Sequence, residues 1–157
     1  MSMDVARQVP LSIPRGPKGE MRAQFAALCW RVKNGKPQIL LITSRGTNRW
    51  ILPKGWPESG MTPGQAALQE AWEEAGVRGR ASEISVGVFS YMKKLEKGVQ
   101  FPCVALVYPI RVKQMADDYP EAGERRRKWF SPKKAAARVS EPDLKHLLLH
   151  FDPRGLR

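Results

Sequence analysis

The chain has 157 residues, 27 of them lysine or arginine against 15 aspartate or glutamate, so one compact domain with a formal net charge of +12 is expected. Such a surplus opposes close self-association, leaving a monomer or weak dimer, and draws polyanions: nucleic acid, anionic lipid or polyphosphorylated small molecules. Its two cysteines, Cys29 and Cys103, stand in the apolar runs AALCW and FPCVALVY, as core thiols of a reducing compartment do, and no apolar run reaches the roughly 18 residues of a membrane-spanning helix. A disulfide-stapled scaffold and a membrane-embedded chain are set aside, and a cytoplasmic location is expected.

Residues 1–21 carry Pro10, Pro14 and Pro17 and no continuous apolar segment, which predicts an extended, partly disordered arm rather than a signal peptide. A single domain is expected over residues 22–157. FAALCWRV and PQILLITS read as strands around the turn Lys33-Asn34-Gly35-Lys36, with RWILP as a third short strand. At Thr62 the apolar period changes from two to 3.6, and a helix is predicted. Thr62 is a suitable N-cap, Pro63 suits the first helical position, Gln65 completes a capping-box pattern, and Gly76 supplies the stop. ASEISVGVFSYMKKL and VQFPCVALVYPIRV read as a hairpin around Glu96-Lys97-Gly98, and RKWFS as another strand. SPKKAAARV and EPDLKHLLLHF follow as helices, started near Ser131 and near Ser140 or Glu141. Without regular βαβ alternation, this order indicates an α+β sandwich rather than a doubly wound sheet.

On the helix after Thr62, Glu70, Glu73 and Glu74 share one face, because spacings of three and four residues superpose on a helix. Ala67, Leu68, Ala71 and Ala75 form a small apolar side suited to close packing on a sheet. A glutamate cluster is most often a solvated acidic face. Here like charges repel with no lysine or arginine inside the turn, so a neighbouring cation is expected. A hard divalent ion, Mg²⁺ or else Mn²⁺, prefers carboxylate oxygens and can bridge to phosphates.

The same segment resembles the Nudix hydrolase family. The Nudix box runs Gly, five residues, Glu, seven residues, Arg-Glu, apolar, any, Glu-Glu, any, Gly, apolar. This chain aligns Gly55, Met61, Gln69-Glu70, Ala71, Trp72, Glu73-Glu74, Ala75, Gly76 and Val77 with that pattern, keeping the spacing throughout. Met61 stands where glutamate is usual and Gln69 where arginine is usual. The two departures remove opposite charges together, so neither strands an unpaired ion. The resemblance implies a Nudix-type α/β/α sandwich with a mixed sheet, in which Glu73 and Glu74 chiefly bind metal and Glu70 is a further ligand or the base. Gly55, lacking a side chain, would let backbone oxygen approach the metal. Glu121 or Glu124 could add a carboxylate from outside the box.

RWILPKGW and GERRRKWFSPKKAA further resemble the diphosphoinositol and diadenosine polyphosphate hydrolase branch. That resemblance implies attack of an activated water on phosphorus in a densely phosphorylated small molecule. Arg45, Arg49, Lys54, Arg125, Arg126, Arg127 and Lys128 are the residues expected to meet phosphate, arginine through its planar fork and lysine as a point charge. Alternate side chains of any strand point away from one another, so about half of the run from Arg125 to Lys128 would touch substrate. RNA 5′ ends, nucleoside triphosphates, or a catalytically silent domain binding a phosphorylated ligand are the alternatives. His146 and His150 have the spacing of some zinc pairs but no further His or Cys beside them, and are read as part of an ordinary amphipathic helix. Trp30, Trp50 and Trp129 are read as packing residues rather than base-stacking platforms.

Overall fold

A computed structural model describes residues 22–94 and 98–156. The arm expected over residues 1–21, and Glu96 and Lys97 at the expected hairpin tip, lie outside the described residues. The elements run β1 (Arg22–Lys33), β2 (Lys36–Thr43), β3 (Trp50–Ile51), β4 (Lys54–Gly55), α1 (Pro63–Ala75), β5 (Val77–Ala81), β6 (Gly87–Lys94), β7 (Gln100–Met115), β8 (Arg127–Phe130), α2 (Pro132–Arg138), α3 (Pro142–Leu149) and a closing 3₁₀ turn (Pro153–Gly155).

One mixed sheet takes the order β3-β2-β1-β7-β5, with β4 added to β1, β6 to β7 and β8 to β2. β1 and β7 run parallel, from Arg22 opposite Cys103 to Trp30 opposite Arg111, and the other pairings are antiparallel. The β1–β2 turn forms where the sequence places it. Asn34 (φ 54°) and Gly35 (φ 75°) both take the left-handed region that a two-residue hairpin turn needs.

Side-chain alternation along the central strands builds two cores. Ala26, Leu28, Ile39 and Leu41 face Ala135, Ala136, Leu144 and Leu148 of α2 and α3. Ala27, Cys29, Leu40 and Ile42 face Ala67, Ala71 and Ala75 of α1. Helices therefore cover both faces, giving the α/β/α sandwich. Both cysteines are free and buried.

The sequence reading needs two corrections. VRGRA after Gly76 is a strand, β5, although only Val77 in it is fully buried. It lies at the end of the strand order, where backbone pairing with the long β7 holds it without an apolar pattern. The residues from Ser82 to Val86 are not strand: β6 begins at Gly87, after a turn in which the Ser85 hydroxyl accepts from Gly87 N–H.

Candidate active site

The helix bearing the carboxylates is fixed at both ends. Thr62 Oγ1 accepts from Gln65 N–H and the Gln65 side chain accepts from Thr62 N–H, completing the capping box. Gly76 closes the helix at φ 69°, and its N–H donates to the carbonyls of Ala71 and Trp72. A further clamp was not foreseen from sequence. The Glu83 carboxylate accepts from Gly64 N–H at 2.9 Å and from the Thr62 hydroxyl at 2.7 Å, placing an anion where the helix dipole favours one. Its partner sits 19 residues away, beyond any local motif. Three small residues, Ala67, Ala71 and Ala75, bring α1 close to the sheet.

The acidic groups fall into two sets. In the first, Glu58, Glu70 and Glu73 place one carboxylate oxygen each within 4.8 Å of the others. Among the described residues none of these three forms an ion pair with arginine or lysine. In the second, Glu74 stands 4.0 Å from Arg125, Glu121 stands 2.9 Å from Arg125 and 3.8 Å from Arg45, and Glu124 stands 3.0 Å from Arg45. A hydrogen bond between Glu70 and Glu74 joins the sets.

Burial pushes the Glu70 carboxyl up to about 8, aided by that hydrogen bond and by the charges of Glu74, Glu73 and Glu58. Burial also raises Glu74, opposed by the nearby Arg125 guanidinium. Two carboxylates sharing a proton, beside a third and a fourth, form the all-oxygen donor set that a hard divalent cation would relieve. Gly55 contributes by its missing side chain: a Cβ there would collide with the Glu70 carboxylate. The room expected at Gly55 for a backbone approach is thus also the room in which Glu70 sits.

Glu58 escaped the sequence reading because it lies outside the box positions, in the loop before Thr62. Met61, where the box has glutamate, is 38% exposed, and its N–H donates to Glu58 O at 3.2 Å. That tight turn brings Glu58 close while Met61 faces solvent.

The expected phosphate-binding residues do not converge as one patch. Arg45 is exposed and tied to Glu121 and Glu124, and Arg49 stands 3.6 Å from Glu141. Arg125, almost buried, also donates to Thr43 O at 3.1 Å. The Arg127 guanidinium donates to Ala75 O at 2.8 Å, at the C-terminal end of α1. Arg126 and Lys128 point the other way, toward the rings of Trp50 and Phe130. Lys54 is half-buried with its ammonium 4.8 Å from the centre of the Tyr91 ring, and burial lowers its pKa to about 8 against the pull of Glu74 and Glu141. The Tyr91 hydroxyl in turn donates to Gln24. The histidine rings of α3 stand 4.5 Å apart, and the described residues offer them no third metal-binding partner.

Trp56 follows Gly55 directly, is 39% exposed and stacks on Phe101, with ring centres 6.4 Å apart at 16°. Lys93 lies over Trp56 and Arg22 over Phe101. Trp56 and Phe101 in this aromatic and cationic wall were not singled out from sequence, where other tryptophans were; Lys93 was, with Tyr91 and Lys94, a residue that could line the cleft.

Known proteins share both the sequence and the fold. Diphosphoinositol polyphosphate phosphohydrolase 3-beta of Homo sapiens is 33% identical over 116 residues, covering 73% of this chain and 66% of the relative. Nudix hydrolase 12, mitochondrial, of Arabidopsis thaliana is 32% identical over 103 residues, covering 64% of this chain and 51% of the relative. The chain therefore spans about half to two thirds of the length of these relatives. Among solved structures, C. elegans Ap4A hydrolase superposes with a TM-score of 0.57 at 20% identity, covering 83% of this chain and 95% of that one. E. coli dihydroneopterin triphosphate pyrophosphohydrolase superposes at 0.60 with 17% identity, covering 82% and 93%. No helix among the described residues is long and apolar enough to cross a membrane. The profile of the NUDIX domain matches residues 22–151, which include the capped helix, the loop before it and every carboxylate of the site, and the chain belongs to that family.

Proposed function

We propose that this chain hydrolyses a phosphoanhydride bond in a densely phosphorylated small molecule, with diphosphoinositol polyphosphates or diadenosine polyphosphates as substrate class and Mg²⁺, or else Mn²⁺, as cofactor. The observation that carries the reading is the set Glu58, Glu70 and Glu73, which no arginine or lysine among the described residues pairs with, while arginines neutralise the adjoining set. The substrate class is supported by the diphosphoinositol polyphosphate phosphohydrolases among the relatives and by the excess of basic side chains.

When bound, a divalent cation makes its coordinated water a better nucleophile and withdraws charge from phosphate oxygens. Glu58 and Glu73 would hold it, with Glu74, anchored by Arg125, as a further ligand and Glu70 as ligand or base. Without metal, burial raises the Glu70 carboxyl to about 8 and it shares a proton with Glu74; that proton would be lost on binding of a divalent cation, leaving Glu70 ionised and able to accept the proton of the attacking water. Arg45 and Arg49, on the exposed turn, would meet the outer phosphates. Arg125 would act by holding Glu74 and Glu121 in place.

A second reading is favoured by the Trp56–Phe101 stack, whose accessible aromatic surface suits a nucleobase. It points to nucleotide substrates, including the triphosphorylated 5′ end of RNA.

Phosphate release should be measured with and without Mg²⁺ on nucleoside triphosphates, diadenosine polyphosphates, diphosphoinositol polyphosphates and triphosphorylated RNA. Release from an inositol or dinucleoside polyphosphate, abolished by E74Q, is the expected result. Silence across the whole panel under metal-replete conditions would overturn the hydrolase reading and leave a domain that only binds.

A further inference from the structure

Far from the carboxylates, the end of the sheet holds a hollow of about 160 Å³ lined by Trp30, Arg80, Ser82, Pro109, Arg111 and Leu156. Along β1, Phe25 pairs with Gly55 of the catalytic loop and Trp30 pairs with Arg111 of the hollow, a separation of roughly 17 Å at strand spacing. The Trp30 ring belongs to the core under α2 and α3, whereas α1 packs on the other face. The hollow is thus distinct in both position and face.

Both arginines of the hollow are exposed to solvent. Arg80 and Arg111 are directly opposite each other on the antiparallel β5–β7 ladder, where like charges destabilise and opposite charges stabilise. Among the described residues neither forms an ion pair. Arginines that blunt an exposed strand edge would account for Arg80 on β5 but not for Arg111, because β7 lies between β1 and β5. The Arg111 guanidinium lies over the Trp30 ring at 5.7 Å, which orients it along the wall of the hollow. Ser82 Oγ already accepts from Ile84 N–H at 3.1 Å, so its own hydroxyl proton remains to be donated. Pro109 contributes no N–H, and Leu156 closes one side. Two forked cations and a hydroxyl donor therefore line a space far above the roughly 15 Å³ that a single water needs.

We propose that this hollow is a second anion site, taking one phosphate group through charge-assisted hydrogen bonds from Arg80 and Arg111 and a hydroxyl bond from Ser82. It is independent of the reading given for the carboxylate site. Inorganic phosphate and the terminal phosphate of a nucleotide share the chemistry it recognises.

The test uses the full chain, ¹⁵N-labelled and held free of divalent metal, titrated with inorganic phosphate at constant ionic strength. Saturable shifts of the Trp30 indole and Arg80 side-chain resonances are expected, with affinity lowered about tenfold in R80Q, the loss of one charge-assisted bond. Because the exposed Arg80 side chain makes no ion pair or ring contact among the described residues, R80Q should fold and, without phosphate, melt slightly higher by relief of repulsion. Phosphate should raise the Tm of the parent chain and leave R80Q nearly unmoved. Wild-type phosphate affinity in R80Q, equal shifts with chloride, or shifts confined to Trp56 beside the carboxylate site would overturn the site. A parallel arm with AMP identifies the source: the same affinity supports recognition of the phosphate alone, and tighter binding with a larger Trp30 shift supports a nucleotide whose base also stacks.

Discussion

The two acidic sets of the active site lie side by side and are treated oppositely by the rest of the molecule. Glu74, Glu121 and Glu124 are laced together by Arg125 and Arg45. Glu58, Glu70 and Glu73 receive no basic side chain among the described residues, although the chain carries 27 of them. A protein so rich in arginine could have neutralised both. The difference teaches that Glu74, Glu121 and Glu124 are held in place by arginines of the fold, while Glu58, Glu70 and Glu73 are the set at which the proposed cation would supply the missing charge. Glu70 stands at the junction, hydrogen-bonded to one set and clustered with the other.

That division can be broken at several points. After the loss of release expected in E74Q, the largest effect is expected from E70Q, which removes the proposed proton acceptor and should lower metal-dependent turnover by about 10²- to 10⁴-fold. Phosphate-release kinetics on the substrate found in the panel would read it, and a loss under tenfold would move the base elsewhere.

R125A attacks the neutralised set. It leaves the buried Glu74 without its cation and Glu121 with only the exposed Arg45, and should destabilise the fold by about 3–5 kcal/mol. Thermal melting should show this, whereas R45A, removing an exposed partner of Glu121 and Glu124, should cost under about 1 kcal/mol. Equal losses for the two variants would mean that burial does not separate them.

E58Q probes the other set. About a tenfold weaker Mn²⁺ affinity is expected, measurable by calorimetry or electron paramagnetic resonance, with an unchanged melting temperature in the metal-free protein. Unaltered Mn²⁺ affinity would remove Glu58 from the site.

The smallest effect concerns pH. The Glu70 carboxyl titrates near 8 in the folded chain against an ordinary 4.5, so between these values the folded state holds more protons than the unfolded one and stability falls as pH rises. Discounted for solvent screening and for the proton shared with Glu74, the loss is about 1–2 kcal/mol, or ~2–8 °C in Tm. Melting in a chelator from pH 5 to pH 8 should show this slope, and E70Q should flatten it. Mg²⁺ should restore stability most at the alkaline end, because the ion displaces the shared proton.

Much of this site was legible in the residues because its parts are local. The capping box, the left-handed Gly76 and the i, i+3, i+4 spacing of Glu70, Glu73 and Glu74 are all decided within a few helical turns. The mixed α/β/α sandwich followed from the order of elements and from the Nudix resemblance. β5 was missed because its pairing with β7, not its side chains, makes it a strand.

By itself, the sequence determined the helix and its caps, which short-range periodicity and steric preference set, and its box spacing carried the resemblance to the family. Only the tertiary structure decided which charges meet. It brought Glu58 to Glu70 through a turn, Glu83 to the start of α1 across 19 residues, and Arg125 to Glu74, while sending Arg126 and Lys128 to the opposite face. The physical reason is that electrostatic partnership depends on distance in space. In a chain this basic, composition supplies many possible partners for each carboxylate, and only the packing of the sheet selects among them.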